Sequence, residues 1–413
     1  MKYGCIGQKL GHSFSRDIHA ALGNPAYELC EIAPEDLDAF MKKREFSAIN
    51  VTIPYKEAVL PYLTETDEGA RRIGAVNTVV NREGNLYGYN TDFYGMRALF
   101  RKAGISVVGK KTVILGTGGT SKTAYAVAES LGASAIFRVG RSGREGSLTY
   151  EELYASHTDA EILINTTPVG MYPNAGNLPA NISRFPHLSG VIDAIYNPLC
   201  TALVLEARER KIPAEGGLFM LVAQGVRASE IFFGVEYPDG TAEKIFDGMR
   251  QKKENIVLVG MPASGKSTVG ALLAKKLSRP YADTDLLIEK RAGPIPEIFA
   301  KEGEEKFREI EADVIRREIA PMTGAVIATG GGSILRQENV KNLLQNGRIY
   351  FLNRPLSLLT PTSDRPLSCD RKSMEKRYAE RLFLYRAVAD REIDASGTPD
   401  KIANSISEDF FNR

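Results

Sequence analysis

Short apolar runs alternate with amphipathic stretches along the whole chain, and the alternation changes character twice, marking three blocks. Over residues 1 to about 95 the runs YGCIG, AINVTI and AVNTVV are separated by helical patterns such as PEDLDAFMKKR, which predicts a series of βα units. The next block opens with KKTVILGTGGTSKTAYAVAESLG, where the buried-strand run VIL ends in a glycine turn that feeds an amphipathic helix. AIFRVGR, EILINTTP and GVIDAI follow as further strands, a succession that predicts a parallel, doubly wound sheet. LFMLVAQGVRASEIFFGV and GTAEKIFDGMR are predicted helices that close this block. The polar, glycine-containing DGMRQKKEN then predicts a linker near 248–254, and beyond it NIVLVG, AVIATGGG and RIYFL again alternate with helical stretches.

The fold class is therefore α/β throughout. It comprises an N-terminal α/β domain over 1–95 completed by helices in 228–248, a Rossmann-type domain over 96–227 and a third α/β domain over 254–413. A chain of 413 residues is too long for one ordinary core and suits this count. With 43% hydrophobic and 25% charged residues, disordered, fibrous and membrane classes are excluded. A net charge of +2 without long runs of one sign excludes nonspecific nucleic-acid or membrane-surface binding, so anion sites have to be local. Cys5, Cys30, Cys200 and Cys369 stand far apart with no CxxC, which suggests neither a zinc cluster nor a disulfide framework. The start, MKYGCIGQKLGHSFS, lacks the features of a secretory signal, and no apolar run approaches the ~20 residues of a membrane span. A cytoplasmic location is the expectation; oligomeric state leaves no signal.

GMPASGKST at 260–268 fits G-x-x-x-x-G-K-[ST] between a strand run and a helix, the context that gives this motif its meaning. Gly260, Ser264, Gly265 and Thr268 would wrap the phosphates of a nucleotide, with Lys266 near the β and γ groups and the Ser267 hydroxyl on Mg²⁺. Asp283 and Asp285 in YADTDLLIE are two apart at the end of a predicted strand, hence on one face. FAKEGEEKFREIE supplies Phe299, Phe307, Arg308 and Glu311; Gly330, Gly331 and Gly332 follow, then Arg365 in DRPL and Arg381 in RLFLY. Taken singly, Arg308 reads as a surface partner of Glu311 and the two phenylalanines as core.

Together and in this order, these motifs resemble shikimate kinase over residues 254–413, a P-loop domain of nucleoside-monophosphate-kinase type. The resemblance implies that Asp283 helps hold Mg²⁺ through water and that Asp285 binds and helps deprotonate the substrate 3-hydroxyl. It also implies that Arg308, Arg381 and the backbone at Gly331 and Gly332 grip a carboxylate, while Arg365 closes from a lid onto the transferring group. The lid segment LLTPTSDRPLS is short and ends RPLS where many members have RPLL.

GTGGTS at 116–121, with Gly116, Gly118, Gly119 and Thr120, is a dinucleotide-type turn without a strict G-x-G-x-x-G. The next strand ends in Arg141 and Ser142, with no acid where an NAD enzyme holds the ribose 2′-hydroxyl. That favours NADP(H); a solvated strand-end charge is the alternative for Arg141. Polar groups follow apolar runs in the first block: Ser13 and Ser15 in GHSFS, Asn50, Thr52 and Lys56 in NVTIPYK, Asn77 in AVNT, Asn90 and Asp92 in YNTDFYG. With NTTPVGM at 165–171, Tyr196 and Gln224, they resemble shikimate dehydrogenase over residues 1 to about 250. The resemblance implies Lys56 and Asp92 as the catalytic pair, with Ser13, Ser15, Asn50, Thr52, Asn77, Tyr196 and Gln224 on the carboxylate and hydroxyls of the substrate. The duller reading of Lys56 is a surface salt bridge to Glu57 or Asp92. Arg16 and Ala20 depart from the usual Pro and Asn, and quinate-using relatives share most of the motifs. The combined expectation is a two-step enzyme: 3-dehydroshikimate is reduced to shikimate with NADPH, and shikimate is phosphorylated at its 3-hydroxyl with MgATP.

Overall fold

In the computed structural model, which describes residues 1–11, 14–143, 146–360 and 371–412, the first apolar runs build a six-stranded sheet. Its strands are β1 (Tyr3–Gly7), β2 (Glu28–Glu31), β3 (Ala48–Val51), β4 (Glu65–Thr66), β5 (Thr78–Arg82) and β6 (Asn85–Tyr89), in the order β2-β1-β3-β5-β6-β4. β1 runs parallel to β2 and β3, as βα units require, but β5 is antiparallel to both β3 and β6. The sheet is thus mixed, not the pure βα series expected. The reason is local: Glu83 and Gly84 both adopt positive φ, 52° and 86°, making the two-residue turn that favours a tight hairpin between β5 and β6. Ile6, Ile49, Val76, Val79, Leu86 and Met41 bury fully against one another beneath this sheet, each contributing roughly 1.5–3 kcal/mol.

The second sheet contains β7 (Lys111–Leu115), β8 (Ala135–Val139), β9 (Ile162–Asn165), β10 (Gly190–Asp193) and β11 (Ala214–Glu215), all parallel in the order β11-β10-β9-β7-β8. The order reverses between β7 and β9, so the crevice for a ligand opens beyond the C-terminal ends of these two strands. The helix Leu218–Phe233 then packs against the helix Thr91–Ala103 of the first block. Gly95 permits that approach, since a Cβ there would lie 2.6 Å from the Met220 carbonyl oxygen. Both sheets belong to one compact unit, Met1–Asn197 with Glu206–Asp247.

The other unit, Pro198–Leu205 with Gly248–Arg413, is built on a third sheet. Its strands β12 (Asn255–Val259), β13 (Tyr281–Asp283), β14 (Val326–Ala328), β15 (Gly347–Asn353) and β16 (Arg391–Asp394) are parallel in the order β13-β14-β12-β15-β16. All five residues of β12 are buried, and the strand delivers the chain into the 260–265 loop at the sheet's centre. The segment read as a polar linker is helical instead: Thr241–Lys253 is one helix, and the boundary between the units falls inside it. Ala, Glu, Lys, Met, Arg and Gln are good helix formers and outweigh the single Gly248. Arg279 completes the helix end, donating to the carbonyls of Gln251 (2.5 Å) and Glu254 (2.7 Å) with its guanidinium over the Phe410 ring. Among the described residues no helix is long and apolar enough to cross a membrane.

Candidate active sites

In the first unit, a lysine from the loop after β3 and a carboxylate at the start of the helix Thr91–Ala103 meet. Lys56 Nζ lies 2.5 Å from Asp92 Oδ2, with the side chains 22% and 13% exposed. Asp92 sits in the helix's first turn, where the dipole favours negative charge, and its N–H is capped by the Asn90 side chain. Glu57, the other partner considered for Lys56, pairs with Lys122 at 2.7 Å. The Lys56–Asp92 contact is therefore a partly desolvated pair and not a surface bridge.

Around it runs a buried amide network. Asn77 Oδ1 accepts the Thr91 N–H at 2.8 Å, and Gln224 Oε1 accepts from Thr91 Oγ1 at 3.2 Å and from Asn77 Nδ2 at 3.5 Å. Asn50 Oδ1 accepts from the Tyr27 hydroxyl at 2.7 Å while its Nδ2 donates to Thr78 Oγ1 at 3.1 Å. These contacts fix which face each amide presents, a precondition for directional recognition of hydroxyls. Thr52 is half-buried just past β3, and Ser15 opens the helix Ser15–Ala21. Tyr196 packs on Phe14 with ring centroids 5.4 Å apart, and burial pushes its phenol above the ordinary pKa. Ser13 lies outside the described residues. Cys5 is buried core: burial pushes its thiol up to about 12 against the opposing pull of Lys56. Tyr27, Thr78 and Thr91 were missed from the sequence; of these only Thr78, adjacent to Asn77 in AVNT, and Thr91, between Asn90 and Asp92, carried a hint.

Beyond β7, Gly116 (φ 110°) passes so close to Thr166 that a side chain would collide with its hydroxyl. Gly118 then caps the helix Gly119–Ser130, with Thr120 in the first turn. Nothing stands within 4 Å of a Cβ at Gly118 or Gly119, so this helix N-terminus is open to a pyrophosphate. Arg141 and Ser142 are exposed on the bend after β8. The residues fit a dinucleotide carrying an extra phosphate.

In the second unit, the loop after β12 uses Gly260 (φ 151°), Ala263 (φ 62°) and Gly265 (φ 92°) to turn into the helix Lys266–Leu277. Lys266 Nζ spans the loop, donating to the carbonyls of Gly260 (2.9 Å) and Met261 (2.8 Å). Ser264 is buried in the loop, whereas Ser267 and Thr268 are exposed in the first helical turn. Asp283 ends β13 and caps the helix Thr284–Ala292 by accepting the Asp285 N–H at 3.0 Å. Asp285 is consequently in a helix, and the two residues are linked by a cap, not by the strand alternation expected. A Ser hydroxyl and an Asp carboxylate are hard oxygen donors and fit Mg²⁺.

Arg308 is buried, not on a helix surface: it pairs with Glu311 at 2.7 Å and Glu304 at 3.2 Å, and its Nε has no hydrogen-bond partner among the described residues. The guanidinium lies against Gly332, where any Cβ would overlap it. Glu311, fully buried, also accepts from Ser333 Oγ at 2.6 Å. Arg381 Nη1 donates to the Gly331 carbonyl at 3.1 Å, as does the Tyr385 hydroxyl at 2.5 Å. Two buried guanidinium groups thus flank Gly331–Gly332, a setting for a small carboxylate. Phe307 and Phe299 pack at 4.8 Å with Ile288 and Ile298 as core. Arg365 lies outside the described residues. Ser333 and Tyr385 are supporting groups that sequence did not assign; Glu311, expected as a surface partner of Arg308, is its partner but buried.

Comparison with known proteins places both halves. The family model for the shikimate dehydrogenase substrate binding domain matches residues 5–79, and that for shikimate kinase matches residues 262–410. The shikimate dehydrogenase (NADP⁺) of Clostridium perfringens strain 13 is 33% identical over 265 residues, spanning 60% of this chain and 98% of that protein. Among solved structures, shikimate dehydrogenase 1 of Peptoclostridium difficile is 37% identical with TM-score 0.55, covering 60% of this chain and 98% of that one. The Thermus thermophilus enzyme, solved in complex with NADP(H) and shikimate, is 28% identical with TM-score 0.54 and the same coverage, 60% and 98%. The chain belongs to the shikimate dehydrogenase family and carries, C-terminal to that region, a shikimate kinase domain.

Proposed function

We propose that this chain performs two consecutive steps of the shikimate pathway in the cytoplasm, NADPH-dependent reduction of 3-dehydroshikimate and ATP-dependent 3-phosphorylation of the resulting shikimate. In this reading residues 1–95 with the helices in 228–248 bind the ring substrate, 96–227 bind NADP(H), and 254–413 form the kinase domain. The observation that carries it is the pairing of a lysine–carboxylate couple with an amide network in one unit and of two buried arginines with a phosphate loop in the other. Each set suits a small polyhydroxylated acid.

When bound, the nicotinamide supplies a hydride and the magnesium nucleotide a phosphoryl group. In the first site Lys56 donates a proton to the ketone oxygen as negative charge builds on it, and Asp92 holds the ammonium toward that oxygen. Asn50, Thr52, Asn77, Gln224, Ser13, Ser15 and Tyr196 hold the hydroxyls and carboxylate. In the second, Arg308 and Arg381 orient the substrate carboxylate with the backbone of Gly331 and Gly332, and Asp285 takes the proton from the 3-hydroxyl. Lys266 and Arg365 offset charge on the transferring group, and Ser267 and, through water, Asp283 would hold Mg²⁺. The test is a single incubation of the purified chain with 3-dehydroshikimate, NADPH and MgATP. Shikimate 3-phosphate should form, with NADPH and ATP consumed in equal amounts; failure to oxidise shikimate with NADP⁺ and to phosphorylate it with ATP would refute the reading.

A further inference from the structure

Tyr281 opens β13 two residues before Asp283, so alternation along the strand puts the two side chains on the same face. Its ring slides under the helix Lys266–Leu277 at Gly270, where a Cβ would stand 2.9 Å from the ring carbon Cε2. Only glycine leaves that slot open. At its far end the phenol oxygen reaches two acceptors, Asp283 Oδ2 at 3.1 Å and the Ser267 carbonyl oxygen at 3.2 Å. The other oxygen of Asp283 accepts the Asp285 N–H at 3.0 Å, so with the phenol in place neither carboxylate oxygen is loose.

We propose that Tyr281 is a positioning residue of the kinase site, whose hydroxyl bridges strand β13 to the first turn of the phosphate-loop helix and so fixes the spacing of the two Mg²⁺-holding residues, Ser267 and Asp283. The inference rests on the assignment of those two residues to the metal. A hydroxyl has one proton, which at 3.1 and 3.2 Å the two acceptors share as a three-centre bond, weighted toward the carboxylate as the stronger acceptor. Orientation of a metal-holding carboxylate by an outer hydrogen bond typically changes metal affinity by about 10–100-fold. The lower end suits a partly exposed site.

Tyr281→Phe removes the hydroxyl and keeps the ring in the Gly270 slot. Calorimetric titration of the full chain with ADP, once with EDTA and once with Mg²⁺ at graded concentrations, reads the metal separately from the nucleotide. The expected result is metal-free ADP affinity within about twofold of wild type and apparent Mg²⁺ affinity weaker by about tenfold. Equal weakening of ADP binding with and without Mg²⁺ would mean a merely structural role and overturn the proposal. Asp283→Asn is the control that separates the two layers. If it weakens Mg²⁺ while Tyr281→Phe matches wild type, the positioning role fails alone; if it leaves Mg²⁺ affinity untouched, the metal assignment fails and takes the proposal with it.

Discussion

Acid should loosen the dehydrogenase unit through one residue, His19. Its ring is 1% exposed, stacked on Tyr27 at 3.9 Å and 8° and on Phe232 at 5.6 Å, and neither nitrogen has a hydrogen-bond partner among the described residues. Burial lowers its pKa from 6.5 to about 4, opposed by a polar contact with Asn50 that falls short of hydrogen-bond geometry. Because the folded value is the lower one, both states are neutral above pH 6.5 and this residue leaves stability unchanged there. As pH falls below 6.5 the unfolded chain takes up the proton first, and stability drains until the folded ring also protonates near pH 4. At about 1.4 kcal/mol per pH unit the full loss is about 3 kcal/mol, with about 2 kcal/mol gone by pH 5. His19→Phe keeps an aromatic ring in the stack and removes the titration. Hydrogen exchange of the peptides containing β1 and β3, read by mass spectrometry at pH 7 and pH 5, compares the two proteins within this unit. The stability difference should move by about 2 kcal/mol in favour of the variant on acidification. Parallel pH profiles would show that His19 titrates normally and that the stacked, unpartnered ring has no such effect.

Lys56→Met should lower dehydrogenase kcat by about 10²–10⁴-fold while shikimate still binds, as a fluorescence titration would register, and should leave phosphorylation by the same chain unaltered. Gly332→Ala forces a methyl group onto the buried Arg308 guanidinium. Overpacking of about 1–3 kcal/mol should appear as a rise of roughly tenfold or more in the shikimate KM of the kinase, with the dehydrogenase KM unchanged. Chelation by EDTA should abolish ATP consumption and spare shikimate oxidation with NADP⁺; loss of both activities would contradict a metal requirement confined to the second unit.

What could be read in advance follows the range over which the chain acts. The 260–268 loop was legible because a strand, a glycine turn and a helix N-terminus are adjacent in sequence, and local geometry decides what they bind. The Asp283–Asp285 arrangement was misread because alternation was extended two residues past the strand, whereas Asp283 caps a helix and turns the chain. The Asn77–Gln224 contact joins residues 147 apart, and the Glu311–Ser333 contact crosses from a helix to the glycine turn after β14. No spacing rule reaches such pairs, which depend on tertiary packing. The start of the helix 241–253 was predicted, but its continuation through 248–253 was hidden by one glycine and a polar run of strong helix formers. Arg308 shows the same limit differently: its partner Glu311 was visible at helical spacing, but its burial was not, since burial is decided by what packs over the helix.

The long reach of Gln224 also has a consequence for synthesis on the ribosome. Lys56, Asn77 and Asp92 emerge early, yet the residue that ties their network together is made only after the entire second sheet. A nascent chain halted between the two has Lys56 and Asp92 but lacks the helix that carries Gln224, so competence for the ring acid should arrive abruptly once the helix beginning at Leu218 has cleared the exit tunnel.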